Sequence, residues 1–355
     1  MNNSSNYTEI SHFQWITVDI RIVFGLIYVL VILIGVSGNT LVILAVTKVP
    51  SMKTVTNVFI ANLAVADLIV TTICCPLILS HMTTYPNWTL GENMCYFTTV
   101  CIHLSLSGSS FGLLAISVDR YFAIAHAQRH LMTFKRVNII IVVTWLLSVM
   151  LAVPSALIRP ETTRVIPSGD LCLLVWRGSE ATKRFEMFKG FVFLVIFHLI
   201  AFFYYRIARV LWKRKIPGNQ TSENQEAASK ARKKVVKLLL IVLACFLFCW
   251  APMILNRVVE MVLPDGRFDP PVALYTGTTV LAMANSAMNP VLYALFNRNF
   301  RTAFRNIYRK CFNNQVVPLP EAFSVATPDA TSPFRPRPLR RTLASSQIAK
   351  LRWRS

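Results

Sequence analysis

Asp119 and Arg120 stand side by side in "AISVDRYFAI", residues 115–124, where a long apolar run meets polar sequence. An arginine at such a boundary can exchange a carboxylate for carbonyl or hydroxyl acceptors at modest cost, because water is near. Asp67 lies deeper, in the apolar stretch "NLAVADLIV". A charged side chain at the centre of a membrane helix costs about 2.5–3.5 kcal/mol on insertion scales, so such residues mark function. Ser109, Asn285 and Asn289 are its candidate partners, and the four-residue spacing puts the two asparagines on one helical face. Together they could enclose a proton or a sodium ion, with Asp67 supplying the formal charge of that metal site. The alternative is a neutral Asp67 in a hydrogen-bonded network. No enzyme is indicated: the six histidines are scattered, and no nucleophile or metal cluster falls at membrane depth. Apart from the allosteric sodium ion, no cofactor is required.

These residues need a membrane scaffold. With 54% hydrophobic and 15% charged residues, a 355-residue chain has too few charges to cover a water-soluble globule. Seven apolar segments, near 23–47, 56–80, 95–124, 137–158, 188–212, 235–262 and 272–296, are long enough to cross the hydrocarbon core as helices. The fold class is an all-α membrane protein, a seven-transmembrane helix bundle with a short amphipathic eighth helix. Four regions are expected: an extracellular glycosylated N-terminus, 1–22; the bundle, 23–296; an interfacial helix, 297–311; and a disordered cytoplasmic tail, 312–355, whose proline and arginine content cannot build a core.

Orientation follows from both ends. Sequons at Asn2, Asn3 and Asn6, without the apolar core of a cleavable signal peptide, put the N-terminus outside. Arg335, Arg337, Arg340 and Arg341 put the tail inside, as do the loop cations Lys48, Lys53, Arg129, Lys135, Arg136 and Lys213 to Lys215. Lys183 and Glu186 are read as outer-loop charges that offset one another. The formal charge of +21 is then a topology signal, suited to an anionic inner leaflet of the lipid bilayer rather than to nucleic acid. Cys95 and Cys172 both face the oxidising side, where a disulfide would tether the second outer loop; two unpaired thiols are the alternative. Cys311, after a basic amphipathic stretch, is a palmitoylation candidate. Pro252 and Pro290 each remove a helix hydrogen bond, giving bends beside Trp250 and Tyr293.

The motifs accumulate in order: Gly38-Asn39, "LAVAD" ending at Asp67, "DRY" at 119–121, Trp145, "CWAP" and "NPVLY". The chain resembles rhodopsin-like (class A) G-protein-coupled receptors, most of all the neuropeptide receptor group, over about 20–311. The resemblance implies a multi-pass plasma-membrane receptor that activates heterotrimeric G proteins and is regulated by receptor kinases and arrestin. Phosphate acceptors would be Ser324, Thr327, Thr331, Ser332, Thr342, Ser345 and Ser346. It assigns an activation switch to Asp119, Arg120, Tyr121, Tyr204, Phe246, Trp250, Pro252, Asn289, Pro290 and Tyr293. Departures from the family pattern are equally specific. No acid opens the sixth span, where "SKARKKVV" presents Arg232; Ile196 replaces the usual fifth-span proline; and Ser110 stands where an aliphatic residue is common.

For the ligand, Ile102 stands where amine receptors carry an aspartate, and Met283 where opsins attach retinal, which removes both classes. The stretch "TTRVIPSGDLCLLVW" reads as a hairpin around 167–170, a lid that leaves the mouth open to an extracellular peptide ligand. The expected ligand-binding residues are His81, Ile102, His103, Leu106, Trp176, Trp250, Met253, Arg257, Glu260, Tyr275 and Thr279, with Glu260 receiving a positive group. A small non-amine ligand, such as a purine, a lipid or a melatonin-like molecule, is the alternative. A transporter would show repeat symmetry between its halves, and no repeat is found.

Overall fold

The computed structural model describes residues 17–84, 88–125, 132–157, 180–213, 222–262 and 272–313, all within one unit, Met1–Leu319. In lipid every backbone N–H and C=O must be satisfied within the chain, so apolar segments of this length form helices. The described residues hold seven helices long and apolar enough to cross a membrane. The first span is Val18–Lys48, the second Val55–Thr84, the third lies in Glu92–Ala125 and the fourth in Phe134–Leu157. The fifth lies in Glu180–Lys213, the sixth in Ser222–Val262 and the seventh in Val272–Phe296. No strand occurs among the described residues.

Two of these helices outrun their expected limits: the fifth starts at Glu180 rather than near 188, and the sixth at Ser222 rather than near 235. Hydropathy marks the lipid-crossing part only, whereas "SENQEAASKARKK" is rich in good helix formers and carries the sixth helix beyond it. Lys183 and Glu186 therefore sit on the fifth-span helix and not in a loop. The N-terminal sequons, Cys172, Trp176, the second-loop hairpin and the tail beyond Asn313 lie outside the described residues, as do the side chains of Arg257, Glu260 and Cys311.

The third span is the central pillar: 72% of its apolar stretch is buried, against 17% for the first span and 22% for the fourth. The outward surfaces are apolar, as lipid requires, with Leu26, Leu146 and Phe248 each more than half exposed. Two helix starts are closed by threonine caps: Thr17 accepts from the Ile20 N–H and Thr54 from the Asn57 N–H.

The second span is not regular. It widens into a π turn over Val70–Cys74 before resuming as Cys75–Thr84. Pro76 is the cause: its ring would strike the carbonyl four residues back and it has no N–H to donate, so the backbone widens ahead of it. Thr71 and Thr72 hydroxyls return to the Asp67 and Leu68 carbonyls at 2.9 and 2.6 Å. Sequence reading had singled out Pro252 and Pro290 and passed over Pro76.

Beyond the seventh span, the Asn297 side chain accepts from the Asn299 N–H at 3.0 Å and from the Phe300 N–H at 3.4 Å, starting the terminal helix Arg298–Asn313. Phe300 and Ala303 are fully buried while Arg298, Arg301, Arg305, Arg309 and Lys310 are exposed. This is the amphipathic helix expected over 297–311, ending two residues later.

Gly38 sets the approach of the first span to the seventh. A Cβ there would lie 2.6 Å from Pro290 Cγ, a contact that a rigid ring cannot relieve. Gly38→Ala should therefore lower stability by about 1–3 kcal/mol through overpacking, read from thermal unfolding of the purified protein. Gly190→Ala, where nothing lies within 4 Å of the added Cβ, is the control and should show no loss.

Candidate functional site

The acid–arginine pair lies where the third-span helix ends. Asp119 is 2% exposed and accepts from Arg120 Nη2 at 2.7 Å and Nε at 3.0 Å. The opening turn of the second span joins it: Thr56 donates its hydroxyl to Asp119 Oδ2 at 2.7 Å and accepts from Arg120 Nη2. Thr56 was missed in the sequence. It is an ordinary threonine at a helix start, and only the pairing of second and third spans reveals its role. Tyr121 packs its ring 5.5 Å from Phe203 of the fifth span, and buried Tyr204 lies within electrostatic reach of Arg120.

Half a bundle away, Asp67 is fully buried and accepts from Asn289 Nδ2 at 2.8 Å. The Ser286 hydroxyl interacts with the same carboxylate. Ser109 and Asn285 are buried nearby but make no hydrogen bond to Asp67 among the described residues. A serine hydroxyl is short against helix axes about 8–10 Å apart, and Asn285 sits a turn from Asn289. Ser286, three residues before Asn289 on the same face, was the overlooked partner. Asp67 Oδ1 is buried without a hydrogen-bond partner, and among the described residues no three His, Cys, Asp or Glu side chains converge as a metal cluster. One carboxylate with an open oxygen and neutral neighbours suits a monovalent cation in charge and ligand type.

The same region repairs the helix break at Pro290. Proline cannot donate to the carbonyl four residues back, which is that of Ser286. Asn39 of the first span donates to that carbonyl at 2.9 Å, and equally to its own Gly35 carbonyl. The Gly38-Asn39 motif thus has two physical jobs, close approach and hydrogen-bond replacement. Tyr293 is buried, stacks on Phe300 of the terminal helix at 5.3 Å, and has a hydroxyl without a partner.

The sixth span carries a ring column. Phe197, Phe246 and Trp250 follow at centroid separations of 5.8 and 6.1 Å, ending two residues short of Pro252. Cys249 donates its thiol to Met288 Sδ at 3.5 Å, joining sixth and seventh spans. Ser110 returns its hydroxyl to the Leu106 carbonyl at 2.7 Å, so its polarity is absorbed within the third span. Trp145 Nε1 donates to Asn62 Oδ1 at 2.9 Å, tying fourth span to second.

Toward the end that bears Cys95, Ile102, Leu106, Met253 and Thr279 are buried, and Thr279 donates to the Tyr275 carbonyl. His81 is held edge-on to Trp88 at 5.3 Å, and His103 is half-buried on the third span. Asn256, missed in the sequence, donates to Thr278 Oγ1 at 3.2 Å and links sixth to seventh span. Cys95 is engaged in a disulfide whose partner lies outside the described residues. A separate apolar groove between first and seventh spans, lined by residues such as Leu30, Ile34, Ala284 and Val291, contains none of the expected ligand residues.

This ordered set of contacts, from Gly38 to Tyr293, coincides with the extent of one family model: "7 transmembrane receptor (rhodopsin family)" matches residues 38–293. The chain belongs to that family. The receptor is accordingly a multi-pass plasma-membrane protein and not an enzyme. It is 31% identical over 304 residues to the neuropeptide Y receptor type 2 of Homo sapiens, covering 82% of this chain and 77% of that one. The tachykinin-like peptides receptor 86C of Drosophila melanogaster is 29% identical over 308 residues, covering 82% of this chain and 59% of the relative. The RYamide receptor of the same organism is 27% identical over 309 residues, covering 84% and 66%. The receptor thus spans about three fifths to three quarters of these relatives' lengths.

Replacing the repairing amide tests the Pro290 account. Asn39→Ala should leave the buried Ser286 carbonyl unpaired and cost about 1–3 kcal/mol, measured as a fall in the thermal unfolding midpoint of the purified receptor. An unchanged midpoint would refute the repair.

Proposed function

We propose that the receptor binds an extracellular neuropeptide at the end of the bundle bearing Cys95 and activates a heterotrimeric G protein at the end bearing Arg120. The observation that carries this reading is the closed Asp119–Arg120–Thr56 network, at the opposite end of the third span from Cys95. A guanidinium held by one carboxylate and one hydroxyl, with a fifth of its side chain exposed, can be released to a partner that offers backbone carbonyls. Thr56 supplies the second restraint on Asp119 and Arg120 that the sixth span, with no acid at its start, does not. The relatives' names, a tachykinin-like peptides receptor and a neuropeptide Y receptor, support a peptide as the messenger.

Orientation has its own support. The first helix begins at the same end of the bundle as Cys95, and disulfides persist in oxidising compartments, which favours an extracellular N-terminus. Five cysteines are free, leaving Cys172 and Cys311 as candidate partners for Cys95. Cys311 follows the seventh span at the opposite end, so Cys172 is the fitting one. On this reading Cys311 is available for palmitoylation beside the basic terminal helix, and the tail for receptor kinases and arrestin.

Sodium belongs to the same proposal. Asp67, Asn289 and Ser286 would hold the ion, which supplies a positive charge that stabilises the ionised carboxylate. Glu260, near the Cys95 end of the sixth helix, would receive a positive group of the peptide.

Peptide-evoked nucleotide exchange in membranes from cells expressing the receptor tests the reading as a whole. With surface delivery matched, Arg120→Ala should abolish that exchange, and full signalling by this variant would sink the switch assignment. Thr56→Val, which removes the hydroxyl but keeps the shape, should raise agonist-free exchange severalfold, while Thr56→Ser should stay near wild type. Asp67→Asn should erase any dependence of agonist affinity on sodium. Indifference of the wild type to sodium would return Asp67 to a purely structural network.

A further inference from the structure

The inward face of the fifth span is headed by a charge. Its buried residues, Lys189, Phe193, Ile196, Ile200, Tyr204 and Ile207, recur every three or four positions and make one stripe along the helix. Tyr204 lies near Arg120. Lys189 lies about 22 Å away along the helix, toward the Cys95 end. It therefore points among the spans at the level where a ligand would enter. Phe191, Leu194 and Phe202, on the other faces of this helix, are more than half exposed where lipid would lie.

Lys189 is 3% exposed in its side chain and forms an ion pair with Glu186, whose side chain is 11% exposed. The Phe185 ring lies 5.3 Å from the ammonium. An ionisable side chain placed this deep in a spanning helix is costly and marks a site by default. The ion pair with Glu186 closes within one turn of a single helix, so the pair itself braces no two spans. An ammonium carries three donors, so it can face an incoming carboxylate while Glu186 stays beside it. We infer that Lys189 is the anion-binding subsite of the ligand cavity and takes a carboxylate of the ligand, with Glu186 as the resident group that the ligand must outcompete. A peptide offers that chemistry at its C-terminus or on Asp and Glu side chains. The inference rests on the peptide-receptor reading for its ligand, and it deepens that reading by naming a negative group on the peptide.

The test uses the purified full-length receptor and three synthetic probe sets: short peptides with free C-terminal carboxylates, the same peptides as C-terminal amides with and without acidic residues, and non-peptide monocarboxylates. Binding is read as a rise in thermal unfolding midpoint, which needs no G protein. Carboxylate-bearing peptides should stabilise the wild type. Their half-effective concentration should rise at least tenfold on Lys189→Met, shift less than threefold on Lys189→Arg, and fall on Glu186→Gln. Loss of binding by all amides assigns the C-terminal carboxylate, and retention by acidic amides assigns a side chain. Peptides that bind Lys189→Met undiminished would overturn the subsite and leave the peptide reading standing. Lysine-dependent binding by the non-peptide acids alone would support the subsite and overturn the peptide reading. Binding by none of the carboxylates overturns the inference. If Lys189→Met does not fold, the gain on Glu186→Gln decides: its absence overturns the subsite.

Discussion

Backbone hydrogen bonds have no alternative partner in hydrocarbon, and the architecture of this receptor depends on how the chain meets that constraint. Seven helices satisfy it along most of their length. Each internal proline breaks it, and at Pro290 the replacement is visible: the orphaned Ser286 carbonyl receives the Asn39 side chain from another helix. A defect in one span is thereby converted into a specific contact between two. Gly38, one residue earlier, permits the approach that the repair requires.

The polar centre of the bundle grows from that same repair. Ser286 offers its carbonyl to Asn39 and its hydroxyl to Asp67, and Asn289, one turn on, donates to the Asp67 carboxylate. First, second and seventh spans thus meet at one place, around a carboxylate with an oxygen to spare. The Asp119 network does the same on a smaller scale for second and third spans through Thr56. In both places a buried carboxylate is stabilised by neutral hydroxyl or amide donors from another span.

Much of this was legible in the sequence. Apolar runs of sufficient length located the spans, and Asp67, Asp119, Arg120, Asn289 and Pro290 stood out by polarity or by proline in such runs. Residues with unremarkable local context did not: Thr56, Ser286 and Asn256 gain their roles only from the neighbouring helix, and one sequence carries no record of which turn faces which. Lys189 was hidden for a different reason. The hydropathy limit of the fifth span fell next to it, so Glu186 was read as a loop acid and the pair was never seen as one inside the bundle. Pro76 was overlooked because a proline near a helix end is unremarkable until the preceding backbone is seen to widen.

The π turn at Val70–Cys74 acts as a rotary offset within the second span. One surplus residue in a helical turn rotates everything beyond it by about 100° relative to a regular helix. Asp67, before the turn, keeps its register with Asn289, while His81, after it, is aimed by a separate setting. The two halves of this helix can therefore diverge independently: indels of a single residue at the turn would re-aim the mouth of the receptor and leave its ion site untouched. A lineage could alter what is recognised without retuning what recognition does.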